Sequence, residues 1–331
     1  MKVFVTYLKD YLRKSSLISF LFTLVFVVLL IFLNYTIGIE RRIRVMRPWP
    51  LSLMSFFFFY GFVLFFSWAV QYTFGNRPSL SGSLPLGTPT LSYKKRFLLL
   101  LLIAPLYFSC KMIHWDLSLF IPAGWSAPWK EYALIVLQLP CKLLLLFFLI
   151  YVYWRLETPR MEGKTEGRGI GAAFGLTVRG FRGRPYFLIL LFLVPLVVLA
   201  STRPDFLHTY PKVKNIAFIG GCTTPLWPWQ LLYEVSYGLD FLSIELFFRG
   251  LLVIGLARYA GEYAILPMAA FYCTIHFGKP LGECISSFFG GLALGVIALR
   301  TRSILGGLIV HLGLAWLMEL GGWLGALYFL K

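Results

Sequence analysis

Residues 16–37 read SLISFLFTLVFVVLLIFLNYTI, and this stretch decides the fold. It is an apolar run without a single Asp, Glu, Lys or Arg. Crossing about 30 Å of hydrocarbon at 1.5 Å per residue takes roughly 20 apolar residues, so the run is long enough to span a bilayer. Lys2, Lys9, Arg13 and Lys14 precede it. A secretory signal peptide also begins basic, but its apolar core is only about 7–15 residues and ends at a small-residue cleavage site. Here the run is longer and no such site follows, so it reads as a retained first span.

Further apolar runs lie at Leu51–Phe74, Phe97–Ile113, Tyr132–Trp154, Tyr186–Ala200, Leu226–Ala260, Ile265–Phe277, Glu283–Leu299 and Ser303–Leu330. The run at 186–200 is short and contains Pro195, which predicts a kink or tilt. The run at 226–260 holds one full span with an amphipathic lead-in rich in Trp and Tyr. The expected fold is all-α: a polytopic integral membrane bundle of about eight or nine transmembrane helices. Between the runs, 75–96 is rich in Pro, Ser and Gly, and 155–185 in Gly and Arg; both read as linkers.

Composition agrees. The chain is 59% hydrophobic and 14% charged, against about 45–50% and 25% in a soluble domain. Apolar runs occur from end to end, which excludes a soluble domain carried on one anchor. The formal charge of +17 comes from 31 Lys+Arg against 14 Asp+Glu. Most of those cations sit between spans, where they set topology and meet anionic headgroups, so membrane lipids and not nucleic acid are the expected partners. The five cysteines (Cys110, Cys141, Cys222, Cys273, Cys284) show no paired spacing and read as small buried hydrophobes.

Loop charge gives an orientation. Arg77, Lys94, Lys95 and Arg96 mark one loop, Arg155, Arg160, Lys164, Arg168, Arg179, Arg182 and Arg184 a second, and Arg300 with Arg302 a third. All three face the cytoplasm if the N-terminus does. Arg41, Arg42, Arg44 and Arg47 then fall outside. Either the first two spans form a re-entrant pair or the bias is broken there.

Ionisable residues inside membrane helices cost about 2.5–3.5 kcal/mol each by insertion scales, so each is a functional hypothesis. Glu245 and Arg249 in DFLSIELFFRG are four apart, sharing a helix face with the acid first, the favourable order. A structural ion pair is the plain alternative. His276 lies in FYCTIHFGKP and His311 in GGLIVHLGLAWLMEL, whereas His114 and His208 fall in loops. Two span histidines beside an intramembrane acid–base pair point to one polar site, since imidazole and carboxylate activate a water or hold a zinc-like divalent metal. Glu319 is a weaker candidate, and Glu234 shares Glu245's face if the helix is continuous. Lys142 has no acid in its run and is expected to face a polar neighbour or cavity. Glu283 reads as an ordinary first-turn acid, and Ser287, Gly291 and Gly295 as a small-residue row for close helix approach. No H-E-x-x-H, G-x-S-x-G or phosphate-loop motif is present.

These residues resemble the CPBP intramembrane proteases, a family that includes the CAAX prenyl endopeptidases and bacterial relatives linked to bacteriocin self-immunity. The family pattern is E-E-x-x-x-R, then F-x-x-x-H, then H-x-x-x-[N/D]. Ile244–Arg249 is similar to the first motif, Tyr272–His276 to the second with Tyr for Phe, and His311 to the third. The intervening HFGKPLGECISSFFGGLALGVIALRTRSILGG also reads like the family, and the likeness covers roughly 225–325. The chain therefore divides into N-terminal transmembrane helices with basic cytoplasmic loops (1–215) and a CPBP-like core (216–331).

The resemblance implies an intramembrane endopeptidase acting on a peptide or membrane-protein segment in the bacterial cytoplasmic membrane. Glu245 and His276 would activate a water, Arg249 would orient Glu245, and His311 would hold the oxyanion, with or without a metal on Glu245, His276 and His311. Two positions depart: Ile244 replaces the acid the family uses on water, and Ala315 the Asn/Asp that assists the last histidine. Either Glu245 takes over as base, aided by Glu234 or Glu319, or the chain is an inactive scaffold or immunity/binding protein on the same fold. An ion-coupled transporter would need repeat-related halves or matching broken helices, and neither is visible.

Overall fold

The computed structural model describes residues 2–76, 90–157, 169–178 and 180–329, and these are helical almost throughout, with no strand among them. In chain order the helices are α1 (Lys2–Lys14), α2 (Leu17–Ile37), α3 (Ile39–Val45), α4 (Trp49–Phe74), α5 (Thr90–Met112), α6 (Ala127–Glu157), α7 (Ile170–Ala173), α8 (Arg184–Ala200), α9 (Pro204–Thr209), α10 (Trp227–Glu245), α11 (Ala257–Ala260), α12 (Ile265–Thr274), α13 (Leu281–Thr301) and α14 (Leu305–Phe329). Leu246–Gly255, directly after α10, is π-helix. Each expected span falls on a helix, and the molecule is a polytopic helical membrane protein. Five helices among the described residues (α2, α4, α6, α13, α14) are long and apolar enough to cross a membrane by themselves. Arg77, Arg160, Lys164, Arg168 and Arg179, used in the loop-charge reading, lie outside the described residues.

The first span starts and stops where its sequence says. The Ser16 hydroxyl accepts the Ser19 N–H, capping α2, and Gly38 at φ 69° ends it with its N–H on the Asn34 carbonyl. α2 and α4 are each long and apolar enough to cross a bilayer; α3 joins them and carries Arg41, Arg42 and Arg44, the last paired with Glu40. The basic flank before α2 is itself helical, which the sequence reading did not anticipate. In α1, Phe4 and Tyr11 are buried and Lys2, Lys9, Arg13 and Lys14 exposed, and the helix packs on α13.

The chain forms two compact units, each assembled from several segments. Unit 1 comprises Met1–Ile113, Phe148–Phe181 and Glu245–Leu305. At its centre lies α12, packed against α13, α4, α2 and the π segment, with every one of its residues buried. A helix wrapped by protein does not need lipid-spanning length, which is why α12 has only 10 residues. The small-residue row on α13 lets α12 approach closely. A Cβ at Gly291 would lie 2.7 Å from Tyr272 Cδ1, and one at Gly295 2.5 Å from Met268 Cε.

The described part of the Arg-rich linker is not loose, which corrects its reading as an unpacked connection. Phe174 is buried beside Gly250 and Gly255 of the π segment. Ile304 N–H bonds the Gly175 carbonyl at 2.9 Å, Ser303 Oγ donates to Thr177 O at 3.1 Å, and Arg258 Nη2 to Ala173 O at 2.8 Å.

Unit 2 comprises His114–Phe147, Arg182–Ile244 and Gly306–Lys331. Its aromatic core gathers Tyr132, Val136, Ile216, Ile219 and Tyr233 with Trp129 and Trp229 packed on it. Tyr132 Oη donates to Trp229 O at 2.7 Å and Ser236 Oγ to Val136 O at 2.6 Å. Lys142 does face a polar neighbour: its Nζ donates to Gln138 Oε1 at 3.2 Å, and Gln138 Nε2 lies 2.9 Å from His114 Nδ1.

Candidate active site

Glu245 closes α10, and Arg249 stands one turn on, inside the π segment. Both side chains are completely buried, with Nη1 and Oε1 3.0 Å apart. The shared face expected from their spacing is therefore realised. The backbone here has widened: Leu256 N–H reaches back five residues to the Leu251 carbonyl at 3.2 Å. Such i→i+5 turns concentrate at functional sites. None of the guanidinium nitrogens meets a hydrogen-bond acceptor in good geometry among the described residues. The cation is held by the carboxylate's charge and by the face of Tyr272, whose centroid lies 4.4 Å from Arg249 Cζ.

Tyr272 connects this pair to His276. The imidazole stands edge-on to the same ring, centroids 4.8 Å apart, and its Nδ1 lies 3.0 Å from the Tyr272 carbonyl oxygen. A carbonyl only accepts, so Nδ1 carries a proton, and in the neutral imidazole Nε2 then holds the lone pair. His276 is half-buried, just past the end of α12. Arg249, which pairs with Glu245, and His276 thus both contact one aromatic ring within unit 1, which the motif reading treated only as a Phe replacement.

The turn that carries His276 is fixed from the N-terminal third of the chain, where no role was legible in the sequence. Asn34 Nδ2 donates to Phe277 O at 3.1 Å, while its Oδ1 accepts the Glu40 N–H at 2.9 Å. Tyr35 Oη donates to Lys279 O at 2.5 Å. A Cβ on Gly278 would lie 3.5 Å from Glu40 Oε2. Lys279 pairs with Glu283 at 3.3 Å across the start of α13, so Glu283 does have the ordinary first-turn role expected of it. The available signal was Asn34 itself, a lone amide near the end of an apolar run, which demands a polar partner in the membrane.

His311 belongs to unit 2, on α14, with its ring 5.2 Å from Phe241. Glu319, also in unit 2, has a different occupation from the one weighed for it. Its Oε1 accepts the Lys212 N–H at 2.7 Å and its Oε2 the Val213 N–H at 3.1 Å. It caps the start of the 3-10 segment Lys212–Gly221, a structural duty. Ile244 and Ala315, at the departing family positions, are both buried.

Among the described residues no group of three or more His, Cys, Asp or Glu side chains is arranged to hold a metal ion. Arg249 already neutralises Glu245 at 3.0 Å. A dication on that carboxylate would have to compete with the guanidinium for the same charge, so the residues do not fit a metal on Glu245.

A helical membrane protein whose last third buries an acid–base pair beside a histidine is the class that the fold and site define. Residues 227–317 match the family model described as type II CAAX prenyl endopeptidase Rce1-like, a likeness over about the last third of the chain that supports a CPBP-type membrane protease. Neither a curated protein nor a solved structure matches the chain.

Proposed function

We propose that the chain is an intramembrane endopeptidase that hydrolyses a peptide bond by a water activated between Glu245 and His276. The observation that supports this reading is that Arg249, paired with the buried Glu245, and His276 contact the same Tyr272 ring. His276 Nε2 or the Glu245 carboxylate takes a proton from water, and the hydroxide attacks the scissile carbonyl. The proton then passes to the leaving amine. Arg249 orients Glu245 and balances its charge. His311, by the family resemblance, donates to the oxyanion. The chemistry is proposed without a metal. The substrate is a peptide or membrane-protein segment reached through the bilayer, and the protein sits in the bacterial cytoplasmic membrane with its N-terminus inside.

The test is cleavage of a quenched-fluorescent peptide library by purified protein in lipid nanodiscs. Wild type is expected to cleave, and Glu245→Gln and His276→Ala to lose about 10²–10⁴-fold, the usual contribution of a general base. Activity unchanged in Glu245→Gln overturns the assignment. Folded wild type that cleaves nothing favours the second reading, an inactive scaffold or immunity/binding protein. The buried apolar Ile244 and Ala315 speak for that reading.

A further inference from the structure

We propose that Cys273 and Cys284 are a redox-closable thiol pair that clamps the turn carrying His276. Their sulfurs lie 4.0 Å apart, and both thiols are free and buried. They occupy facing ends of α12 and α13, which pack on one another. Cys273 Sγ points across the hairpin, 3.3 Å from the Cys284 carbonyl oxygen. A disulfide holds its sulfurs about 2.05 Å apart, so closure needs an approach of about 2 Å between two packed helix ends.

The pair stands at the base of the loop that the site depends on. Cys273 is three residues before His276, and Cys284 lies in the first turn of α13, directly after Glu283. Tyr35, itself exposed, holds the Lys279 carbonyl of the same turn. Neither cysteine has exposed surface, so a small oxidant reaches the pair when the turn opens, and Cys284, in the first turn of α13, is proposed as the first to react.

The oxidant is a small organic disulfide. Cys284, as thiolate, attacks one of its sulfurs, forming a mixed disulfide and releasing one small thiolate. Cys273, as thiolate, then attacks the Cys284 sulfur and displaces the second. The two protons given up by the cysteines are taken by the two released thiolates. Two cysteine thiols are oxidised, one reagent disulfide is reduced, and reduction by a dithiol reverses the step. Closure draws α12 and α13 together at the root of the turn and so shifts His276 relative to Tyr272. Closure is independent of the endopeptidase reading; its effect on cleavage rests on that reading.

The experiment treats the full-length protein in nanodiscs with 4,4′-dithiodipyridine, followed by alkylation, proteolysis and mass spectrometry. The expected product is a 273–284 cross-linked peptide lighter by two hydrogens, with two thiopyridones released per pair. Cys273→Ser and Cys284→Ser should each abolish it while leaving the thermal midpoint within a few degrees of wild type. Folded wild type yielding only single mixed adducts or unmodified thiols overturns the pair. The clamp is read separately, from the rate at which diethyl pyrocarbonate modifies His276. At least a threefold change on closure, reversed by dithiothreitol, is expected, and an unchanged rate in fully cross-linked protein overturns the clamp. Neither readout requires cleavage, so both the pair and the clamp are decided even by protein that is inactive in the peptide assay.

Discussion

Two buried charge sites, one in each unit, are held in opposite ways. In unit 1, Glu245 and Arg249 are sealed together 3.0 Å apart, and the guanidinium nitrogens find no well-formed hydrogen bond among the described residues. In unit 2, Glu319 spends both carboxylate oxygens on backbone N–H groups, and Lys142 rests on the neutral amide of Gln138. A charge tied off by neutral donors or acceptors is explained by the architecture around it. Glu245 and Arg249 instead balance one another's charge, with the guanidinium against the Tyr272 face. The proposed reaction draws on the unit 1 pair, and substitutions at the two sites test the contrast.

The largest effect that tests this contrast is at Arg249. Removing one member of a buried ion pair leaves the other uncompensated and costs about 3–5 kcal/mol. Arg249→Leu should therefore lower thermal stability sharply, while Glu245→Leu with Arg249→Leu recovers most of the loss. If the single and double variants melt together, the two charges do not depend on one another, and the contrast between the units fails.

Glu319 comes next. Hydrogen bonds to a charged group contribute about 1.5–3 kcal/mol, and Glu319→Ala also leaves the Lys212 and Val213 N–H groups without their acceptor. A stability loss of that order is expected, with Glu319→Gln, which keeps one acceptor oxygen, falling between Ala and wild type. A Glu319→Ala variant that melts like wild type but loses cleavage would move this acid from architecture to chemistry.

Much of this was readable from residue order. The apolar runs located the helices because a bilayer leaves few alternatives, and the i, i+4 spacing of Glu245 and Arg249 placed them on one face. What stayed hidden was long-range or backbone-specific. Asn34 and Tyr35 meet Phe277 and Lys279 across more than 240 residues, a contact that no local pattern encodes. Phe174 packs against Gly250 and Gly255 of the π-turns after Glu245. That residue looked like part of a linker because its neighbours are Gly and Arg. The amphipathic α1 was overlooked because its lysines and arginines were counted as topology signals for α2, although Phe4 and Tyr11 already marked an inward face.

The smallest predicted effect is the most local. Gly291 and Gly295 both leave room for α12, yet alanine at the two should behave differently. At Gly295 the new methyl would meet Met268 Cε at 2.5 Å, the free end of a flexible side chain that can swing away. Alanine is also favoured over glycine in a helix by about 1 kcal/mol, so Gly295→Ala should be near neutral. At Gly291 the obstacle is Tyr272 Cδ1 at 2.7 Å, on a ring already stacked against Arg249 at 4.4 Å and edge-on to His276 at 4.8 Å. That ring cannot retreat without disturbing the guanidinium or the imidazole. Overpacking costs about 1–3 kcal/mol, leaving Gly291→Ala a net loss of about 1–2 kcal/mol after the propensity gain. Thermal melting of the two variants measures the difference. Cleavage adds the functional reading, since only Gly291→Ala displaces the group that joins Arg249 to His276. Equal behaviour of the two would mean that Tyr272 is filling space and does not position the site.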